Sequence, residues 1–261
     1  MFSYKSLPSL YRRVPVLGAA LVLTFATILA PTPAAAAGQG ALKKLDRALN
    51  AARDKGTTSQ LSVIVRTAPG QRAAVRDRIK AKGGILEAEL TSIDALTMRV
   101  LPSQFEAMAA DPAIKSVSIN GAVSAFAAPG SGGTSGTNVL RETLGLTSTS
   151  PTGKGIGVAI IDSGIVPSAD FDGRLVGFYD FVKAGGAYAA AYDDYGHGTH
   201  IAGLVGSSGA TGSQYKGVAP GARLIVMKVL DGTGSGKTSD VIKALTFATV
   251  NKVALDRKSV V

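Results

Sequence analysis

The chain contains no cysteine in 261 residues. Disulfides, thiol nucleophiles and cysteine-bound zinc are therefore excluded, and a protein working outside the cell must then rely on packing or on bound ions. Histidine is almost as scarce. The two present, His197 and His200, both lie between Asp193 and Gly203, so imidazole chemistry is confined to that stretch. A concentrated basic surface is missing too. The formal charge is +10, but it is spread along the chain: residues 1–37 carry three basic and no acidic side chains, residues 38–128 thirteen and eight, and residues 129–261 twelve and ten. No Arg/Lys cluster with interleaved aromatics accompanies the excess, and no nucleic-acid partner is expected. Apolar residues, in contrast, are abundant. At 46% they allow a full core and more than one domain.

Residues 1–37 read as a secretory signal. Lys5, Arg12 and Arg13 make a basic start, Val14 to Ala30 is uncharged and mainly apolar, and Pro31-Thr32-Pro33 breaks the run. Ala34 to Ala37 then offer small-residue cleavage sites before Gly38. The rival is a permanent anchor, but 17 residues with Pro15 and Gly18 near their start are short for about 30 Å of hydrocarbon. A secreted protein without stable membrane insertion is expected.

Residues 38–128 form the next unit. A short charged helix over 41–55 would place Leu42, Leu45 and Leu49 on one side. Leu61 to Val65 reads as a strand, Arg72 to Lys82 as a helix closed by Gly83-Gly84, and Ile85 to Leu90 and Leu96 to Leu101 as two strands. Ser103 to Ala110 reads as a helix with Ser103 as N-cap and Glu106 at capping-box spacing, and Ile114 to Ile119 as a last strand. The order β-α-β-β-α-β is the ferredoxin-like arrangement, a small α+β module. By pattern alone it suits any small binding module.

Ala125 to Asn138 is glycine-rich and reads as an exposed linker. From there the pattern is α/β. Asn138 caps a short helix through Leu144, and Gly155 to Asp162, Arg174 to Val182 and Leu224 to Leu230 are extended. Ser239 to Val250 makes a helix with Ser239 as cap, and Val260-Val261 opens another strand. Continuous apolar strands alternating with helices point to a parallel sheet covered on both faces. Gly155-x-Gly157 precedes its strand, whereas a dinucleotide fingerprint follows one, and no such cofactor is expected.

Asp162 ends a buried strand, where sites of such sheets lie. His197, flanked by Gly196 and Gly198, starts an apolar helix and is a candidate general base. Asp162-Ser163-Gly164 and His197-Gly198-Thr199-His200 resemble the D-[ST]-G and H-G-T-H motifs of the subtilisin-like serine proteases, in that family's order of Asp, then His. Gly217 to Ala222, Val226 to Leu230 and Gly234-Ser235-Gly236 fit the family's segment after the histidine helix.

The resemblance implies a partial subtilisin-like parallel-sheet domain over 129–261, with Asp162 and His197 as catalytic residues and protein or peptide substrates. It implies that 38–128 is a pro-domain that assists folding and acts as an intramolecular inhibitor, with a module of unrelated purpose as the alternative. Triad chemistry requires no cofactor. Calcium is possible as a structural ion, because Asp170 sits where many members place a calcium-binding Asp, although no further ligands can be matched in Ser207 to Tyr215. His200 is expected to be a satisfied buried histidine, and Asp193 and Asp194 either a solvated loop or, as the resemblance implies for this region, a border of the substrate cleft. The family's substrate-binding strand, oxyanion asparagine and G-T-S nucleophile would lie beyond Val261. Gly133-Thr134-Ser135 matches only the first letters of that serine motif, and a flexible tract before the Asp segment cannot hold a nucleophile. Two readings follow: an endopeptidase precursor whose serine is missing from this chain, or an inactive product that binds or inhibits a protease.

Overall fold

The computed structural model describes residues 42–125 and 138–251. The expected signal at 1–37, most of the linker with Ser135, and the strand opening at Val260-Val261 lie outside the described residues.

Asp46 sets where the first helix begins. From extended backbone its carboxylate accepts the Leu49 N–H at 2.8 Å, so α1 spans Arg47–Asp54 rather than starting at 41. The second carboxylate oxygen takes the Ile119 N–H at 2.7 Å and ties the helix to the sheet. The sheet consists of β1 (Leu61–Thr67), β2 (Ile85–Leu90), β3 (Ala95–Val100) and β4 (Ile114–Ile119), antiparallel in the order β2-β3-β1-β4. Helices α2 (Arg72–Ala81) and α3 (Phe105–Ala110) complete the β-α-β-β-α-β order. Alternation along the strands decides the faces. Val63, Val65, Leu96, Met98 and Val117 pack under Leu49, Val75, Ile79, Phe105 and Met108 from the helices. Each such fully buried side chain contributes about 1.5–3 kcal/mol.

The capping box expected at Ser103 is not formed. Pro102–Gln104 makes a 3₁₀ turn and α3 begins only at Phe105, with no side-chain cap. Proline's fixed φ starts the tight turn early and leaves Ser103 inside it.

The second sheet contains β6 (Gly157–Asp162), β7 (Leu175–Asp180), β8 (Ala187–Tyr188) and β9 (Arg223–Lys228), in the order β6-β9-β7-β8. β9 pairs in parallel with β6 and β7, while the short β8 adds antiparallel, so the sheet is mixed rather than all-parallel. β9 shows why the sequence reads as a continuous apolar run. Leu224 and Val226 face Ala202 of α5 (His197–Gly206), and Ile225 and Met227 face Ala244 of α6 (Thr238–Val250). Both faces are covered. Ahead of this sheet, Asn138 caps α4 (Val139–Thr143), accepting the Arg141 N–H at 3.1 Å.

Residues 120–124 meet the second sheet's surroundings directly. β5 (Ala122–Ser124) pairs antiparallel with β10 (Ser235–Lys237), Ser124 opposite Ser235 and Ala122 opposite Lys237. Asn120 Oδ1 accepts the Ser239 N–H at 3.0 Å, and the Gly121 carbonyl accepts the Thr238 N–H at 3.0 Å. Ser239 is thus not the cap expected for α6. It is the second helical residue, and its N–H is satisfied by a side chain more than a hundred positions away. Ile242 of α6 also packs against Ile64, Leu90 and Ala95 on the open face of the first sheet.

Candidate active site

Asp162 stands at the carboxyl end of β6, and His197 is the first residue of α5. His197 Nδ1 lies 2.8 and 2.9 Å from the two Asp162 carboxylate oxygens. Glycines make this approach possible. Gly196, at φ 97°, turns the chain into α5 in a conformation that disfavours side chains. Gly198 lies against the Gly164 backbone, where a Cβ would overlap the Gly164 carbonyl oxygen and come within 2.8 Å of its nitrogen. Asp162 is further fixed by the Ser163 N–H, 2.7 Å from its Oδ1. Among the described residues no hydrogen-bond partner is found for His197 Nε2. A carboxylate on Nδ1 fixes the tautomer with Nε2 free to take a proton, and it stabilises the imidazolium that results.

Asp193 is not the solvated loop residue expected of it, and Asp194, though exposed as expected, is engaged by a buried partner. Asp193 Oδ1 accepts from Ser163 Oγ at 2.9 Å and from the Gly196 N–H at 2.8 Å, and Oδ2 accepts from the Thr199 N–H at 2.8 Å and Thr199 Oγ at 2.6 Å. Burial pushes its carboxyl up, but these donors, Thr199 and Gly196 foremost, outweigh it and hold the pKa at about 2. Ser163 is fully buried and also accepts the Gly198 N–H at 2.8 Å, so it joins the strand end of Asp162 to the helix start of His197. Asp194 pairs at 2.5 Å with Lys228, whose side chain is entirely buried. A single lysine within the apolar run from Leu224 to Leu230 was the signal that could have marked this pair.

His200 is exposed, contrary to the buried role expected of it. Three residues along α5 from His197 it falls on the outer side, beside a cavity that Asp170, Thr211 and Tyr215 also line. Asp170 is buried, and the surrounding groups are donors. Its carboxylate takes the Thr211 hydroxyl and the Thr211 N–H, the latter at 3.1 Å, while Arg174 donates to the Asp170 backbone carbonyl. Burial raises the Asp170 carboxyl, but bonds from Thr211, Ala210 and Ser207 outweigh it and leave it below the usual carboxylate range. A calcium ion needs six to eight oxygen acceptors. The Thr211 amide and hydroxyl hydrogens and the Arg174 guanidinium turned toward Asp170 do not supply such acceptors.

The architecture and the motif-bearing strand and helix are those of the subtilisin-like α/β fold. Residues 153–258 match the Peptidase_S8 model, the subtilase family. The chain is 38% identical over 170 residues to the serine protease AprX of Bacillus subtilis, a match covering 64% of this chain and 37% of AprX. It is 43% identical over 103 residues to an extracellular serine proteinase of Thermus sp., covering 39% of this chain and 23% of that protein. The chain therefore spans well under half the length of these relatives. Among solved structures, the epidermin leader peptide processing serine protease of Staphylococcus aureus aligns with a TM-score of 0.60 at 16% identity, over 74% of this chain and 49% of that one. Fervidolysin from Fervidobacterium pennivorans aligns with a TM-score of 0.56 at 19% identity, over 74% and 34%. Among the described residues no helix is long and apolar enough to cross a membrane.

Proposed function

We propose that this chain is part of the precursor of a secreted subtilisin-like serine endopeptidase, with Asp162 and His197 as two members of its triad and the serine on a Gly-Thr-Ser segment following Val261. The observation that carries this reading is the contact of His197 Nδ1 with both Asp162 oxygens, at 2.8 and 2.9 Å. His197 Nε2 takes the serine proton as Oγ adds to the scissile carbonyl carbon. It then gives that proton to the leaving amine, and water cleaves the acyl-enzyme by the same route. Asp162 holds the ring and balances its charge. No cofactor is required.

The pairing of β5 with β10 supports the remainder of the proposal. A peptide laid along an exposed strand gains affinity from main-chain hydrogen bonds. Residues 122–124 occupy β10 in that manner, as a substrate or an inhibiting pro-segment would. In this reading β10 is a substrate edge in addition to the substrate-binding strand expected beyond Val261, residues 38–128 are the inhibitory pro-domain, and processing falls in 125–138.

An extended polypeptide that restores the Gly-Thr-Ser segment should hydrolyse casein and react with a fluorophosphonate, whereas the 261-residue chain should do neither. His197→Ala should lower turnover by about 10⁶-fold and Asp162→Ala by about 10⁴-fold, the scale known for the corresponding losses in subtilisin itself. Full turnover in the His197→Ala protein would refute the assignment. So would stoichiometric labelling of the 261-residue chain that Ser135→Ala abolishes.

A further inference from the structure

Lys228 is the buried ionisable group that the proposed mechanism leaves unused. It ends β9, the central strand, aligned with Asp162 on β6 to one side and with Asp180 on β7 to the other. Its ammonium has three hydrogens and three acceptors. The Ser163 carbonyl lies at 2.5 Å, Asp194 Oδ1 at 2.5 Å and the Leu230 carbonyl at 2.7 Å. The Tyr192 ring covers it at 4.9 Å, and the Tyr192 hydroxyl is turned away to Asp180 at 2.7 Å.

Each acceptor lies on a different loop. Ser163 follows Asp162, so fixing its carbonyl stops the peptide beneath the carboxylate from rotating. Asp194 stands three residues before His197, in the loop that starts α5. Leu230 leads out of the sheet toward β10. A buried lysine is a poor device for stability alone, because an apolar side chain of similar volume often serves as well or better. An apolar side chain cannot supply three directed donors.

We propose that Lys228 is a positioning residue for the Asp162–His197 pair, its ammonium holding the Ser163, Asp194 and Leu230 loops in one arrangement. The inference rests on the protease reading for its purpose, although its test needs no nucleophile.

The test follows the exchange of the His197 Nδ1 proton by ¹⁵N NMR on the 261-residue chain, where only His200 shares the imidazole region. Lys228→Met keeps length and removes every donor. It should speed Nδ1–H exchange by about tenfold or more, while amide protection in β1 and β3 stays unchanged. Lys183→Met is the control. That exposed lysine lies 3.7 Å from Asp194 Oδ2 but reaches neither carbonyl, and exchange should stay within about twofold of the parent. If Lys228→Met does not fold, Asp194→Asn decides on the same readout, with an increase of at least about threefold expected. Exchange within about twofold of the parent in the deciding folded variant overturns the proposal. Lack of turnover in the extended polypeptide would refute the protease reading and leave this result standing.

Discussion

Replacing Asp193 tests the largest hydrogen-bonding hub at the site. Asp193→Ala removes the acceptor for the Gly196 and Thr199 amides at the start of α5 and strands the buried Ser163 hydroxyl. Loss of a helix-start acceptor costs about 0.5–2 kcal/mol and a stranded buried donor about 1–3 kcal/mol, so a total of about 1.5–5 kcal/mol is expected at neutral pH. A second signature comes from the charge. The folded carboxyl titrates at about 2 against an ordinary 3.8. A depressed pKa contributes stability above the ordinary value and loses it as pH falls toward the folded one. The full shift would correspond to about 2 kcal/mol, and partial exposure screens this to about 1 kcal/mol. Urea unfolding of the parent and of Asp193→Asn should therefore show a stability difference that is constant above about pH 5 and shrinks by about 1 kcal/mol on reaching pH 2. A difference that does not change with pH, or an Ala variant with the parent's urea midpoint, would refute the role given to Asp193.

Two further outcomes follow from the packing. Gly198→Ala would drive a methyl into the Gly164 backbone, so the variant should lose about 1–3 kcal/mol in urea and release the His197 Nδ1–H bond, and unchanged imidazole NMR signals would contradict the close approach. The donor shell of Asp170 predicts that melting temperatures in excess EDTA and in millimolar calcium agree within about 1 °C, since only a ligand of the folded state raises stability; a rise of several degrees with calcium would show that the shell rearranges to take the ion.

The motif-bearing part of the site was legible because its signals are local. A buried strand ending in Asp162 and a glycine-flanked histidine opening a small-residue helix can be read within a few positions. Asn138 was legible as a cap for the same reason, since its bond spans three residues. What could not be read depends on partners far away in sequence. Ser239 looked like a cap by spacing, yet its N–H is taken by Asn120. Ser103 had the spacing of a capping box and lost it to the turn begun by Pro102. Asp194 looked like a loop charge because its donor, Lys228, lies 34 residues away, and Asp193 because its near donors Gly196 and Thr199 are joined through it to Ser163, 30 residues off. The exposure of His200 emerges only from the packing of α5.

The contact of residues 120–124 with β10 and α6 bears on the order in which the molecule can form. β2 and β3 are joined by a short connection and close with little loss of chain freedom. The union of β6 with β9 must wait while Gly157 finds Arg223 across a long intervening segment. Such distant closures are what slow a fold, because chain freedom is given up before any pairing rewards it. A first sheet assembled early would offer Asn120, Gly121 and β5 as a ready rim. On it, the start of α6 and the edge of β10 find acceptors and a partner strand before the second sheet is complete.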